Sequence, residues 1–272
     1  MRSHALAFAS AFVFVWACSD NNLGTASSGD GGSSLVGDGG ASGDGSNSGD
    51  GGVSGDGDGG QAANASQNGQ VVDAVSAKGI VGASIDFGNG VTTTTDSSGN
   101  YLLPTKQSTP FNMVVTLADY TQLIDQEWEL TGDFNAGSTR LTSSGLSNAV
   151  NGGLADYDST KGVLGVAVEV TGACNDNAGA VVSLSDPSAG KIIYFKGTTP
   201  FPAGTSVQSG SITPSALIYN LDLATTAKVV VTPPSGCSVA SFPFSQGTVT
   251  YTGNWKVQAG SGSTSFFRVF VQ

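Results

Sequence analysis

From residue 71 onward, apolar and β-branched side chains alternate with polar ones in short runs, and clusters of Gly, Ser, Asp and Asn separate those runs. A first series comprises 71–75, 80–87, 91–95, 101–103, 111–117 and 123–130. The stretch 91–95 is β-branched throughout, and Asp96-Ser97-Ser98-Gly99-Asn100 after it reads as a turn. A second series comprises 163–170, 179–184, 191–195, 216–221, 229–231, 248–251 and 266–271. Between the two series, 143–150 has weak helical periodicity, lowered by Gly145. The last two runs are expected to pair around Gly260-Ser261-Gly262. Short strands about ten residues apart predict an all-β protein of two consecutive Ig-like β-sandwich modules, at 70–141 and 142–272.

The pattern before residue 70 is different. Residues 1–4 are short and basic, and 5–17 is an apolar run without a charge. Such a run is a secretory core, too short to cross a bilayer of roughly 30 Å as a permanent helix. At its end, Val15-Trp16-Ala17-Cys18 resembles the lipobox of bacterial lipoproteins. The resemblance implies that 1–17 is a lipoprotein signal peptide and that Cys18 becomes the lipidated first residue, bearing palmitate-type chains. Each buried CH₂ contributes about 0.8 kcal/mol, so two or three chains would hold the protein on a membrane. The expected location is the bacterial cell envelope, at the outer membrane or cell surface. The alternative is ordinary cleavage after Ala17 or Ser19 and a secreted protein.

The segment 18–69 repeats units such as Ser28-Gly29-Asp30-Gly31-Gly32 and Ser48-Gly49-Asp50-Gly51-Gly52. Its few large apolar residues, Leu23, Leu35, Val36 and Val53, cannot offset the entropy of ordering about fifty residues, so it reads as a disordered tether. Its root-mean-square span is about 40 Å. Gly55-Asp56-Gly57-Asp58-Gly59 looks superficially like a calcium loop, but a loop opening at Asp56 would place Gly60 and Gln67 where ligands are needed. The net charge of −11 over 272 residues, with no basic cluster, argues against nucleic acid as a partner. The single histidine, His4, lies in the leader. A mature chain without it has no Ser-His-Asp or Cys-His site and no His-ligated zinc.

Three segments of the first module carry a family resemblance. They are Gly69-Gln70-Val71-Val72-Asp73, Ile80-Val81-Gly82-Ala83-Ser84-Ile85 and Thr93-Thr94-Thr95-Asp96-Ser97-Ser98-Gly99-Asn100-Tyr101. Together they resemble carboxypeptidase regulatory-like domains, which read G-x-V-x-D, P-[IV]-x-G-A-x-V and T-x-T-D-x-x-G-x-[FY]. Gly79 stands where that family has proline. The resemblance implies a transthyretin-like sandwich with no catalytic residues of its own. In the second module Gly179-Ala180-Val181-Val182-Ser183-Leu184 echoes Gly82-Ala83-Ser84-Ile85-Asp86-Phe87, which suggests a divergent second copy.

Candidate chemistry is sparse. Cys174 and Cys237, an even pair in an exported chain, predict a disulfide. Asp125, Glu127 and Glu129 alternate along one predicted strand face. They could supply a carboxylate-based hydrolase or form a solvated face over an apolar one, and the second reading is favoured. Asp156 and Asp158 read as turn acids rather than cation ligands. Trp128, Trp255, Tyr251, Phe266 and Phe267 offer either a sugar-stacking platform or sandwich core, and core is the commoner fate of such residues. No catalytic residue, metal site or cofactor is expected. The expectation is a non-catalytic envelope lipoprotein, with a membrane as partner through its anchor and an envelope protein or a glycan as a further partner. A secreted glycan- or peptidoglycan-binding module is the alternative.

Overall fold

The computed structural model describes residues 64–272 apart from 89, 198, 210–213 and 259–261. The expectations for the leader, Cys18 and nearly all of the tether lie outside the described residues. In the first half the strands are β1 Asn64–Asp73, β2 Ser84–Asp86, β3 Thr92–Thr94, β4 Asn100–Lys106, β5 Phe111–Thr116, β6 Gln122–Leu130 and β7 Phe134–Leu141. Helix α1, Ser144–Gly152, follows, and the Ser143 hydroxyl caps it by accepting from the Leu146 N–H. The second half holds β8 Gly162–Val170, β9 Val181–Leu184, β10 Lys191–Lys196, β11 Thr199–Phe201, β12 Ala216–Leu221, β13 Val229–Thr232, β14 Phe244–Gln246, β15 Val249–Tyr251 and β16 Ser263–Val271. The protein is all-β with sandwich-like sheets, as the alternation predicts. β1 opens at Asn64, inside the segment read as tether.

A three-stranded sheet, β4-β1-β7, faces a large sheet ordered β11-β10-β12-β8-β16-β6-β5-β2-β3. The large sheet runs through both expected modules. Its central strand, β16, pairs in parallel with β6 of the first half and with β8 of the second. All nine of its residues are buried, and its alternation serves two cores. Phe266 and Phe270 enter the first core with Ile85, Met113, Trp128 and Leu130. Phe267, Val269 and Val271 enter the second with Leu164, Val182 and Ile218. Fully burying such a side chain contributes about 1.5–3 kcal/mol, so this one strand supplies apolar burial on both sides. The two cores are therefore not consecutive along the chain. The first is completed by Ala240, Val249, Tyr251, Phe266 and Phe270, all from the C-terminal part.

This arrangement corrects the expected pairing of 248–251 with 266–271. β15 instead pairs antiparallel with the end of β6, from Leu130 to Trp128, while β16 takes up the start of β6, from Gln122 to Ile124. A strand buried on both faces is better satisfied inside a sheet than at the edge of a hairpin.

The Gly-Ala echo is present in the backbone. The Gly82 N–H donates to the Thr95 carbonyl and the Thr95 N–H to the Ala83 carbonyl, at 3.1 and 3.0 Å. Likewise Gly179 donates to Val207 and Val207 to Ala180, at 2.9 and 2.8 Å. Both glycines have positive φ, +74° and +87°, and both alanines are fully buried. The turn after β3 also explains two other glycines. Gly99 has a φ of +82°, and its tight turn presses the Ser98 carbonyl onto Gly79, where a Cβ would lie 2.0 Å from that oxygen. No side chain fits at 79, which accounts for the glycine there.

Candidate functional site

The β5–β6 ladder decides where the acids of β6 point. Asn112 pairs with Glu127 and Val114 with Ile124, so β6 carries one extra residue between these pairs. Such a bulge reverses the alternation. Before it Leu123 and Asp125 face the first core, and after it Trp128 and Leu130 do. Asp125, Glu127 and Glu129 thus do not share a face, contrary to the strict alternation read from the sequence. Asp125 is buried, and its Oδ1 accepts from Arg268 Nη1 at 2.8 Å. Arg268 Nε lies 3.3 Å from Glu169 Oε1 of β8, and the guanidinium sits 4.8 Å from the centre of the Phe266 ring. The Arg268 N–H also donates to Gln126 Oε1. One cation from the shared strand thereby binds acids on both of its neighbours. Burial raises the Glu169 carboxyl above the ordinary range; Arg268 opposes the shift and Asp125 adds to it.

Sequence reading missed Arg268. Its signal is a lone charge in the apolar run that ends the chain, Phe266-Phe267-Arg268-Val269-Phe270-Val271. A charge so placed needs a buried partner.

Where β15 leaves β6, residues 252–258 cross toward β16 as an extended strap. The Thr252 N–H donates to the Glu127 carbonyl, the Glu127 N–H to the Asn254 carbonyl, and the Ser263 hydroxyl to the Gln258 carbonyl, at 3.1, 2.9 and 3.2 Å. Strap, β5, β6 and the segment 225–229 enclose a cleft of about 930 Å³. That volume falls in the range of small-molecule sites, roughly 300–1,000 Å³. Phe111, Ile124 and Phe267 contribute apolar surface, Trp255 lines it half-buried, and Lys228 and Lys256 line it exposed. The Asn112 side-chain amide is fixed by donating to the Asp125 carbonyl at 3.0 Å. Glu127 Oε1 accepts from Thr252 Oγ1 at 2.8 Å and Asn254 Nδ2 at 2.7 Å. Its Oε2 has no protein partner among the described residues.

The other sequence candidates fall as follows. Cys174 and Cys237 form the expected disulfide, with Cα atoms 5.4 Å apart. Trp128, Tyr251, Phe266 and Phe267 are all buried, so the exposed aromatic platform does not form and Trp255 alone of the five is partly open. The Asp156 carboxylate pairs with Lys191 at 2.9 Å, and Asp158 Oδ1 accepts from the Thr160 N–H and hydroxyl. These bonds hold both carboxyls below the usual range. Internal partners thus occupy one oxygen of each carboxylate. Among the described residues, no group of three or more His, Cys, Asp or Glu forms a metal-holding cluster.

No family model matches the chain, and no curated protein matches it. Among solved structures, it is similar to the TIE protein of Bacillus anthracis, at 11% identity and a TM-score of 0.23, over 77% of this chain and 34% of that one. The chain thus spans about a third of that protein. It is also similar to a double mutant of the shaft pilin SpaA from Lactobacillus rhamnosus GG, at 12% identity and a TM-score of 0.22, over 77% of this chain and 97% of that one.

Proposed function

We propose that this chain is a non-catalytic lipoprotein of the bacterial cell envelope that displays two fused β-sandwiches for binding, adhesion or a structural role. The observation that carries this reading is the order of three segments: an apolar run ending at Cys18, a Gly/Asp/Ser tract, and an all-β body beginning at Asn64. A lipidated cysteine, a flexible tether and a packed head is the physical plan of a protein held at a membrane but presented away from it. No helix among the described residues is long and apolar enough to cross a membrane. The resemblance of the first half to carboxypeptidase regulatory-like domains is part of the proposal. Its support is the turn geometry: the Asp96 carboxylate accepts from the N–H groups of Ser98 and Asn100, and Gly99 takes the left-handed position. The non-catalytic reading is supported by the acids of β6, since Asp125 is committed to Arg268 and faces the core, away from Glu127.

The test is expression in a Gram-negative host with alkyne-tagged palmitate. Label should enter the wild-type chain and not Cys18→Ser, and a lipoprotein signal peptidase inhibitor should retain the slower precursor. An unlabelled chain, released to the medium in both forms, would leave the secreted alternative.

A further inference from the structure

We propose that the cleft beneath the strap binds a short amino-sugar oligosaccharide bearing carboxylates. The proposal rests on the envelope-display reading and gives the displayed body a ligand. The cleft joins two things that sugar recognition needs. Trp255, half-buried and packed against the second core, lines the cleft, and its indole is the surface on which a pyranose ring would stack. Glu127 is held through Oε1 by Thr252 and Asn254, which leaves Oε2 to accept from a sugar hydroxyl or acetamido N–H. Because those two bonds already fix the carboxylate, little side-chain entropy is lost on binding.

The charge at the mouth selects within that class. Lys228 and Lys256 line the cleft, are exposed, and take part in no ion pair among the described residues. From residue 71 onward the chain carries fourteen acids and nine bases, and two of those bases stand without an ion pair at one opening. They complement carboxylates carried by the sugar, over a cleft floor formed by the buried Phe111, Ile124 and Phe267. The cleft is assembled from segments far apart in the chain, with the strap as one wall. Its shape therefore depends on the docking of the C-terminal region.

The experiment titrates the full-length protein with a tetrasaccharide of alternating N-acetylglucosamine and N-acetylmuramic acid, and with the neutral N-acetylglucosamine tetramer. Calorimetry and tryptophan emission are the readouts. The acidic sugar should bind about tenfold more tightly than the neutral one, the worth of one charge-assisted contact. Lys228→Gln/Lys256→Gln should abolish that preference while keeping the neutral affinity. Glu127→Gln should weaken both sugars about tenfold. Melting temperatures separate these effects from unfolding, and the exposed lysine pair tests the idea even if Trp255→Ala fails to fold. Absence of binding to either sugar at millimolar concentration overturns the proposal. So do unchanged affinities in all variants, or a cleft that takes up an extended peptide instead. A lipidated chain that binds no sugar sinks this inference alone; an unlipidated, secreted chain that binds it sinks only the display reading.

Discussion

The corners at Gly82-Ala83 and Gly179-Ala180 have the same backbone bonds but are secured by different chemistry. In the first, Thr95 lies opposite, and its hydroxyl donates to the Ile80 carbonyl at 2.6 Å and accepts from the Ala83 N–H at 2.9 Å. In the second, Val207 stands in that place and has no hydroxyl to offer. There the Cys174–Cys237 disulfide ties the segment before the corner to the segment after β13. One half closes its corner with a buried polar side chain, the other with a covalent crosslink. The backbone geometry is shared while the reinforcement differs, so a sandwich corner needs some anchor and not one particular anchor.

Breaking the covalent anchor should have the larger effect. Cys174→Ala/Cys237→Ala releases a crosslink between residues 63 apart. The expected loss is about 4 kcal/mol in the chain-entropy treatment, read from urea denaturation of the oxidised wild type and the variant. Thr95→Val gives the first corner the chemistry of the second without its crosslink. It strips partners from a buried N–H and a carbonyl, so about 1–3 kcal/mol should be lost in the same assay. Equal losses in the two experiments would remove the distinction between the anchors.

The smallest effect concerns pH and the strand that joins the halves. A folded-state value raised above the ordinary one, as for Glu169, gives stabilisation that is complete below about pH 4.3 and lost as pH rises through the folded value. Asp73 and Asp96 have the opposite sign. Burial pushes Asp73 up, but bonds from Ser76, Val75 and Tyr120 outweigh it; bonds from Asn100 and Ser98 hold Asp96 down. Their stabilisation is present above the ordinary carboxyl range and fades as pH falls through their folded values. Subtracting the pH–stability curve of Glu169→Gln from that of the wild type cancels the aspartates. The difference should fall as pH rises above about 4.3, and a rising difference would contradict the upward shift of the half-buried Glu169 carboxyl.

Much of the fold was legible because alternation, turn chemistry and an even cysteine count are local signals. The strands, the short helix and the disulfide follow from them. Sheet order was not legible, since β16 reads like any edge hairpin strand until its neighbours are known. What distinguishes it is that residues on both of its faces are apolar, with one arginine among them. The bulge in β6 left no turn residue to mark it, so the acids were assigned to one face although they divide between two. The cleft escaped for a related reason: Glu127, Lys228 and Trp255 belong to three segments that only the C-terminal strap brings together.

Because β16 pairs with both β6 and β8, the two sandwiches should unfold as one cooperative body. Calorimetric unfolding of the wild type, Phe270→Ala and Phe267→Ala tests it, because these neighbours face the first and second cores respectively. The account predicts a single transition in all three proteins, lowered in each variant by a comparable amount, about 3–5 kcal/mol. Two separable transitions, one shifted only by Phe270→Ala and the other only by Phe267→Ala, would contradict it.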